Sequence, residues 1–392
     1  MNVCFETFGC RLNKAEALQM EADYLASGWE VTDRHADANL IVVRGCSVTS
    51  RAQYECEKLI SHLRRRYPNA DVKVCGCLKS DDSSTQTPNH PIPQSPNLPV
   101  RTARAYLKVQ DGCSGKCTFC IVPSFRGPSK SENFAALLDR AKRFIEAGYH
   151  EIVVTGCNLA LYASESKRLP DLVAALAGLD AGCRVRLGSV EPGPCALETV
   201  AAMAEHPNVC RFLHLPIQSG SGTILQAMRR PYAVRDIEET AFRATKLMPG
   251  IGLGCDLIAG FPGESDLDFL ATRGLLKRIG FSNAHVFPFS SRPDTIAAGL
   301  PRQVPREIRS ARAQELAEDV RSKRHAFARK FFGKTVEIVV EDEKHGRGWT
   351  GEYLPCELIG KSPARKSLAR VLVTETRGSQ LLGRLAHGGA RR

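Results

Sequence analysis

No apolar run in this chain approaches the roughly 20 residues that a helix needs to cross a bilayer, which excludes a helical membrane span. The opening stretch MNVCFETFGCRLNK also lacks the charged-then-apolar order of a secretory leader, so a cytoplasmic protein is expected. Acidic residues are in short supply: 42 Asp and Glu stand against 54 Lys and Arg, a net charge of +12 over 392 residues. That balance excludes a strongly acidic surface and suits either a polyanionic partner or an ordinary basic exterior. Paired C-x2-C knuckles are missing too, which argues against a closed structural zinc site. What is abundant is cysteine, with 15. In a long chain without export signals these read as reduced thiols open to metal, not as a disulfide framework.

The first segment alternates β-prone runs (residues 3–7, 39–44 and 71–74) with helical patterns (14–27 and 51–67), the rhythm of a βαβ sheet. Cys10, Cys46 and Cys77 each fall just past one of these strands, where open parallel sheets gather ligands. If the last strand is regular, Cys75 points to the same side as Cys77 and is an equal candidate. Residues 80–100 are rich in Pro, Ser and Asn and read as a linker. Strand-like runs then recur at 106–109, 151–155, 184–189, 212–216, 252–258 and 285–289, with helical stretches at 132–147, 197–206 and 265–279. This predicts a βα part-barrel over residues 101–332. It ends in a charged helical stretch at 302–332, expected to be a solvated face able to meet RNA phosphates. Short strand-like runs after Gly333 predict a small antiparallel β-barrel over 333–392. The fold class is therefore α/β with three parts, the first a βαβ sheet domain over 1–79.

The strongest local signal is GCSGKCTFC, in which Cys113, Cys117 and Cys120 are spaced C-x3-C-x2-C directly after a strand. Three thiolates on one loop can hold three irons of a cubic 4Fe-4S cluster and leave the fourth iron open to a small chelating ligand. The amino and carboxylate groups of S-adenosylmethionine are the obvious candidate. The bland readings are zinc, or a loop that merely contains many cysteines; with zinc the chain would be a non-catalytic RNA-binding protein. Several polar residues lie where strands end: Thr155, Gly156 and Asn158, which could equally form a plain βα turn, Ser189, and Glu191 and Gln218. A solvated loop is the rival reading for Glu191. Gly260, Phe261, Pro262 and Gly263 suggest a tight turn, with glycines that permit positive φ. Cys157 reads as a bystander thiol, and Cys4, Cys56, Cys183, Cys195, Cys210, Cys255 and Cys356 as packing residues.

YLKVQDGCSGKCTFCIVPSFRGPSKS resembles the radical loop of the radical S-adenosylmethionine methylthiotransferase family, with Arg126 and Gly127 in its RG and Ser131 closing the motif. TFGCRLNKAE, GCSVT and the CGC ending at Cys77 resemble that family's three N-terminal cysteine motifs. TGCNLALY, RLGSVEP, FLHLPIQSGSGTILQAMRRPY, DLIAGFPGE and HVFPFSSRPDT resemble its core blocks in order, and the C-terminal segment resembles a TRAM domain.

The resemblance implies two 4Fe-4S clusters, one on Cys10, Cys46 and Cys77 and one on Cys113, Cys117 and Cys120. It implies S-adenosylmethionine in contact with Thr155, Gly156, Asn158, Ser189, Glu191, Gln218, Gly260, Phe261 and Pro262. No further catalytic residue is assigned beyond the clusters. The implied partners are tRNA, which would unstack an adenosine into the barrel mouth, and a flavodoxin- or ferredoxin-like electron donor, with the sulfur source left open. Arg11 and the lack of an acidic residue after RG resemble the MtaB-like branch, which acts on N6-threonylcarbamoyladenosine. The alternatives are isopentenyladenosine or a ribosomal protein. The chain departs from the family pattern in three places: a short stretch before the radical loop, Leu78 and Lys79 where an AQ-like pair is usual, and Arg44 and Gly45 where Asn-Thr is usual.

Overall fold

The computed structural model describes residues 1–78 and 102–391, with side chains up to residue 386. The expected linker at 80–100 lies outside the described residues. The chain begins with β1 (Asn2–Thr7), α1 (Arg11–Ala26), β2 (Glu30–Val31), β3 (Leu40–Gly45), α2 (Ser50–Arg66) and β4 (Asp71–Gly76). Its four strands are parallel in the order β2-β1-β3-β4. β3 is buried along its whole length, as a central parallel strand must be.

The central part carries β5 (Ala105–Lys108), β6 (Gln110–Asp111), α3 (Val122–Arg126), β7 (Lys130–Ser131), α4 (Phe134–Glu146), β8 (Glu151–Thr155), β9 (Ala163–Ser164), β10 (Lys167–Arg168), α5 (Leu169–Ala177) and β11 (Arg184–Leu187). It continues through α6 (Pro194–Glu205), β12 (Phe212–Gln218), α7 (Gly222–Ala227), α8 (Val234–Leu247), β13 (Gly252–Ala259), α9 (Asp266–Arg278), β14 (Asn283–Pro288) and α10 (Arg306–Arg329). β5, β8 and β11 form one parallel sheet and β12, β13 and β14 another. Isolated parallel bridges Val185–Val209 and Ser189–His214 join them into a six-stranded part-barrel.

Period-2 alternation divides these strands cleanly. Ile152, Val154, Val185, Leu187, Leu213, Leu215, Leu253, Cys255 and Leu257 face the helices and form the main apolar core. Their neighbours, among them Lys108, Glu151, Arg186, His214, Asp256 and His285, face a polar lumen. Helix starts follow local chemistry: Asn133 accepts from Ala136 N to cap α4, and Ser265 with Asp268 makes a capping box on α9.

After Gly333, β15 (Thr335–Asp342), β16 (Arg347–Thr350), β17 (Pro355–Leu358), β18 (Leu368–Arg377) and β19 (Gln380–Arg391) close into a small barrel. It docks on the amino-terminal rim of the part-barrel. Arg184 Nη1 donates to Glu337 O and Nη2 to Trp349 O, while Arg186 reaches Thr350 O and Gly351 O. Both arginines share Glu151, which is fully buried.

Two sequence expectations need correction. The basic stretch at 302–332 is not simply a solvated face: α10 begins after Pro305, and Arg312 is buried against Glu264 and Asp266. Arg309 donates to Phe289 O, Arg324 to Asn283 and Lys323 to Leu276 O, so much of its charge holds the helix to α9 and the strands. β4 is also not a regular strand at its end, because Gly76 adopts φ +90° and interrupts the alternation.

Candidate active site

Gly76 decides the roles of the two neighbouring thiols. Cys75 packs with Val3, Met20, Leu40 and Val42. Cys77 instead lies in electrostatic contact with Cys10 and Cys46. Cys10 follows β1 as the residue before α1, and Cys46 and Cys77 directly follow β3 and β4, so three adjacent carboxyl ends of a parallel sheet bring the trio together. Packing there is tight: a Cβ built on Gly9 would stand 2.9 Å from Cys46 Sγ. Burial pushes the Cys46 and Cys77 thiols up, and the neighbouring thiols add to the effect. Arg126 opposes it, its Nε donating to Cys77 Sγ at 3.0 Å.

The two departures from the family pattern beside this trio prove to be neighbours. A Cβ on Gly45 would lie 2.8 Å from the Cβ of Leu78, so the bulk gained at one position occupies space vacated at the other. Arg44 is likewise accounted for by a buried ion pair with Glu16.

Cys113, Cys117 and Cys120 leave β6 on a single loop. Gly115 permits the turn, since a Cβ there would sit 3.2 Å from Cys113 Sγ and 3.9 Å from Cys117 Sγ. Phe119 meets Phe261 edge-on at 6.5 Å, and Phe261 belongs to a small cluster with Ile224, Met228 and Phe289. Burial pushes Cys120 up to about 11, the charges of Cys117 and Cys113 contributing. Arg230 Nη1 donates to Cys117 Sγ at 3.0 Å while its Nη2 pairs with Glu191 at 2.5 Å. Each trio thus has one sulfur bonded by an arginine that is itself anchored to carboxylate, an arrangement that stabilises thiolate charge.

A buried network separates the trios. Arg126, at the end of α3, pairs with Asp111 at 2.9 Å and Glu16 at 3.0 Å, and reaches Asn13 at 2.8 Å. Lys108 bonds both Glu16 and Asp111 at 2.7 Å. The radical loop is thereby tied to α1 and to Cys77. Cys157 stands beside this network, its Sγ 3.6 Å from Asp111 Oδ1, and burial pushes its thiol up.

The other residues singled out in the sequence line the rim. Thr155 O accepts from Val109 N; Gly156 packs against Gln110, which accepts from Asn158 N at 2.9 Å. Asn158 also caps the following turn. Ser189 is exposed and bridges to His214, and Gln218 ends β12 at φ +63°. Glu191, for which a solvated loop was the rival, is bound to Arg230. Gly260 (φ +71°) donates to Glu264 at 2.8 Å, with Phe261 and buried Pro262 following in the turn, and Gly263 N bonds Arg302 O.

Sequence reasoning missed the lumen. His214 on β12 and His285 on β14 both stand 3.0 Å from Asp256 Oδ1 on β13. The period-2 pattern of these strands was the available signal, with Asp256 opposite His285 in register and His214 opposite Gly254, two residues before Asp256. Sequence reasoning placed a helix at 14–27 but not its packing: Ala15 and Leu18 of α1 lie on Tyr106 and Val153 along the inner face of β5 and β8. The amino end of α2 reaches the other edge, where Ser50 bonds Ser290 and Arg292 beyond β14.

The model for the Radical SAM superfamily matches residues 107–276, and that for the uncharacterized protein family UPF0004 matches residues 2–92. A radical S-adenosylmethionine methyltransferase, TsrM, from Kitasatospora setae superposes with a TM-score of 0.54 at 13% identity, covering 76% of this chain and 77% of that one. Fold and site therefore define a radical S-adenosylmethionine enzyme. A tRNA-2-methylthio-N(6)-dimethylallyladenosine synthase from Cereibacter sphaeroides is 31% identical over 91% of this chain and 89% of its own. Two proteins named threonylcarbamoyladenosine tRNA methylthiotransferase MtaB are similar as well. The one from Bacillus subtilis is 28% identical over 92% of each chain, and that from Thermotoga maritima 29% over 86% of each. The chain belongs to the radical S-adenosylmethionine tRNA methylthiotransferase family, transferases that use S-adenosylmethionine and two 4Fe-4S clusters. No described helix is long and apolar enough to cross a membrane.

Proposed function

We propose that this chain adds a methylthio group to C2 of N6-threonylcarbamoyladenosine beside the anticodon of tRNA, in the cytoplasm. The observation that carries the reading is the pair of cysteine trios held on either side of Arg126, which touches Cys77 while anchored to the radical loop and to Glu16. The donor sets suit the family's cofactors: each offers three converging thiols and a charged hydrogen-bond donor for sulfur. We assign one cluster to Cys10, Cys46 and Cys77 and the other to Cys113, Cys117 and Cys120, with S-adenosylmethionine along the rim from Thr155 to Pro262. When bound, these groups supply the electron, the sulfur platform and the hydrogen-abstracting chemistry. The protein's part is placement. Arg230 and Glu191 position the radical loop, and α1 covers the inner face of β5 and β8 so that water is kept from the lumen.

The choice of N6 arm rests on Arg11 and on the polar lining of the lumen, which suits a carboxylate-bearing arm better than a dimethylallyl one. Nucleoside mass spectrometry of tRNA from a strain lacking the protein is the test. Loss of the methylthio form of threonylcarbamoyladenosine alone is expected. Loss of methylthio-isopentenyladenosine instead would transfer the reading to the other branch, and an unchanged profile would remove it.

A further inference from the structure

The substrate read above carries a carboxylate on its N6 arm, so the reaction chamber needs a group to receive it. Arg11, the first residue of α1 and the neighbour of Cys10, reaches from the first domain to both the part-barrel and the small barrel. Its Nη1 lies 3.5 Å from Leu187 O at the carboxyl end of β11, and its guanidinium carbon stands 5.0 Å from the centre of the Tyr353 ring. Among the described residues its polar partners are that carbonyl and the Tyr353 hydroxyl, with no carboxylate.

This sets Arg11 apart from five arginines near the lumen, although Arg324, which also neighbours Tyr353, likewise lacks a carboxylate among the described residues and has Asn283 as its partner. Arg44, Arg126, Arg184, Arg186 and Arg230 each face a glutamate or aspartate. A guanidinium left without a counter-ion offers the planar fork that binds carboxylate through two parallel bonds. The charge of Arg11 is felt at Tyr353. Burial alone would raise its phenol, yet the charge and hydrogen bond of Arg11, with Arg104 and Arg186, hold it below the usual tyrosine range. Tyr353 also stacks on Phe212 at 4.8 Å and on Trp349 at 4.6 Å, which fixes its ring beside the guanidinium. An apolar arm placed here would strip water from a cation and return nothing.

We propose that Arg11 is a specificity-determining residue whose guanidinium binds the carboxylate of the target adenosine's N6 arm, with Tyr353 as its backing. The proposal rests on the substrate reading above, and the experiment separates the two. Equilibrium binding to reconstituted protein is measured for anticodon stem-loops carrying threonylcarbamoyladenosine, the same nucleoside with its carboxylate replaced by carboxamide, and isopentenyladenosine. Wild type is expected to prefer acid to carboxamide by about tenfold to a hundredfold, the range of a charge-assisted hydrogen bond. Arg11→Gln is expected to abolish that preference while iron content and visible absorption stay at the wild-type level, and Arg11→Lys to keep part of it. If wild type favours the isopentenyl stem-loop, the substrate reading falls. If wild type favours the acid and Arg11→Gln retains the full preference, the receptor assignment alone is overturned. Should Arg11→Gln fail to load iron, the wild-type comparison still decides, because equal affinity for acid and carboxamide removes the proposal.

Discussion

Single positions around the first trio show how one residue's size or handedness sets another's role. Gly45 and Leu78 share one volume, with Leu78 in the apolar cluster of the first domain. Gly45→Thr is therefore expected to cost about 1–3 kcal/mol by overpacking. Leu78→Ala is expected to cost about 2–5 kcal/mol by opening a cavity. Made together, the two should cost less than their sum by at least about 0.5 kcal/mol, read from a double-mutant cycle in denaturant. Strict additivity would show that the two positions do not compensate. The spacing of Cys113, Cys117 and Cys120 was legible because thiols on one loop are neighbours in sequence. The choice between Cys75 and Cys77 was not legible from alternation, because it turns on the positive φ of Gly76. Nor could spacing disclose that Leu78 lies over Gly45, a contact made only across paired strands.

Among the elements, α1 carries the most that the sequence concealed. Its pattern predicted a helix of a βαβ unit, without showing that Ala15 and Leu18 meet Tyr106 and Val153 of another domain. Polar residues on the same helix, Asn13 and Glu16, enter the Arg126 network. Burial alone would raise the Glu16 pKa; the Arg126 hydrogen bond and the charges of Arg44, Arg126 and Lys108 outweigh it and bring the value from 4.5 to about 2. A carboxylate whose folded pKa lies below its unfolded one adds stability that is complete above the upper value and drains away as pH falls toward the lower one. The contribution is about 3 kcal/mol at neutral pH. Glu16→Gln should be less stable than wild type at pH 7, with the gap narrowing between pH 4.5 and about 2, the window fixed by its two pKa values. Denaturant unfolding at a series of pH values checks this, and a gap that does not change with pH would refute it. Helix α10 carries the related lesson. Its charge pattern read as a wet face because a sequence does not say which arginines will meet Glu264 or the carbonyl of Phe289.

At the scale of the molecule, Glu151 is the point on which the small barrel's attachment turns. It neutralises Arg184 and Arg186, whose remaining donors hold carbonyls of residues 337 and 349–351. Replacing it with Gln leaves two buried cations uncompensated and is expected to cost about 3–5 kcal/mol. Faster hydrogen exchange in β16 and β17 should accompany the lower melting temperature. Unchanged exchange there would mean that the barrel is held by other contacts. The three-part order of sheet, part-barrel and small barrel was readable from periodicity and turn residues. The docking between the parts was not, since it runs through main-chain carbonyls, which every sequence has alike.

Among the described residues no strand pairing joins β5 to β14, and the first domain touches both of those edges, α1 on one side and the start of α2 on the other. The catalytic chamber is thus a vessel with a borrowed wall. A ribosome delivers the lid first and the bowl afterwards, so a finished enclosure comes into being only at a late, long-range step of assembly. Until then the radical loop stands open to solvent and oxidant.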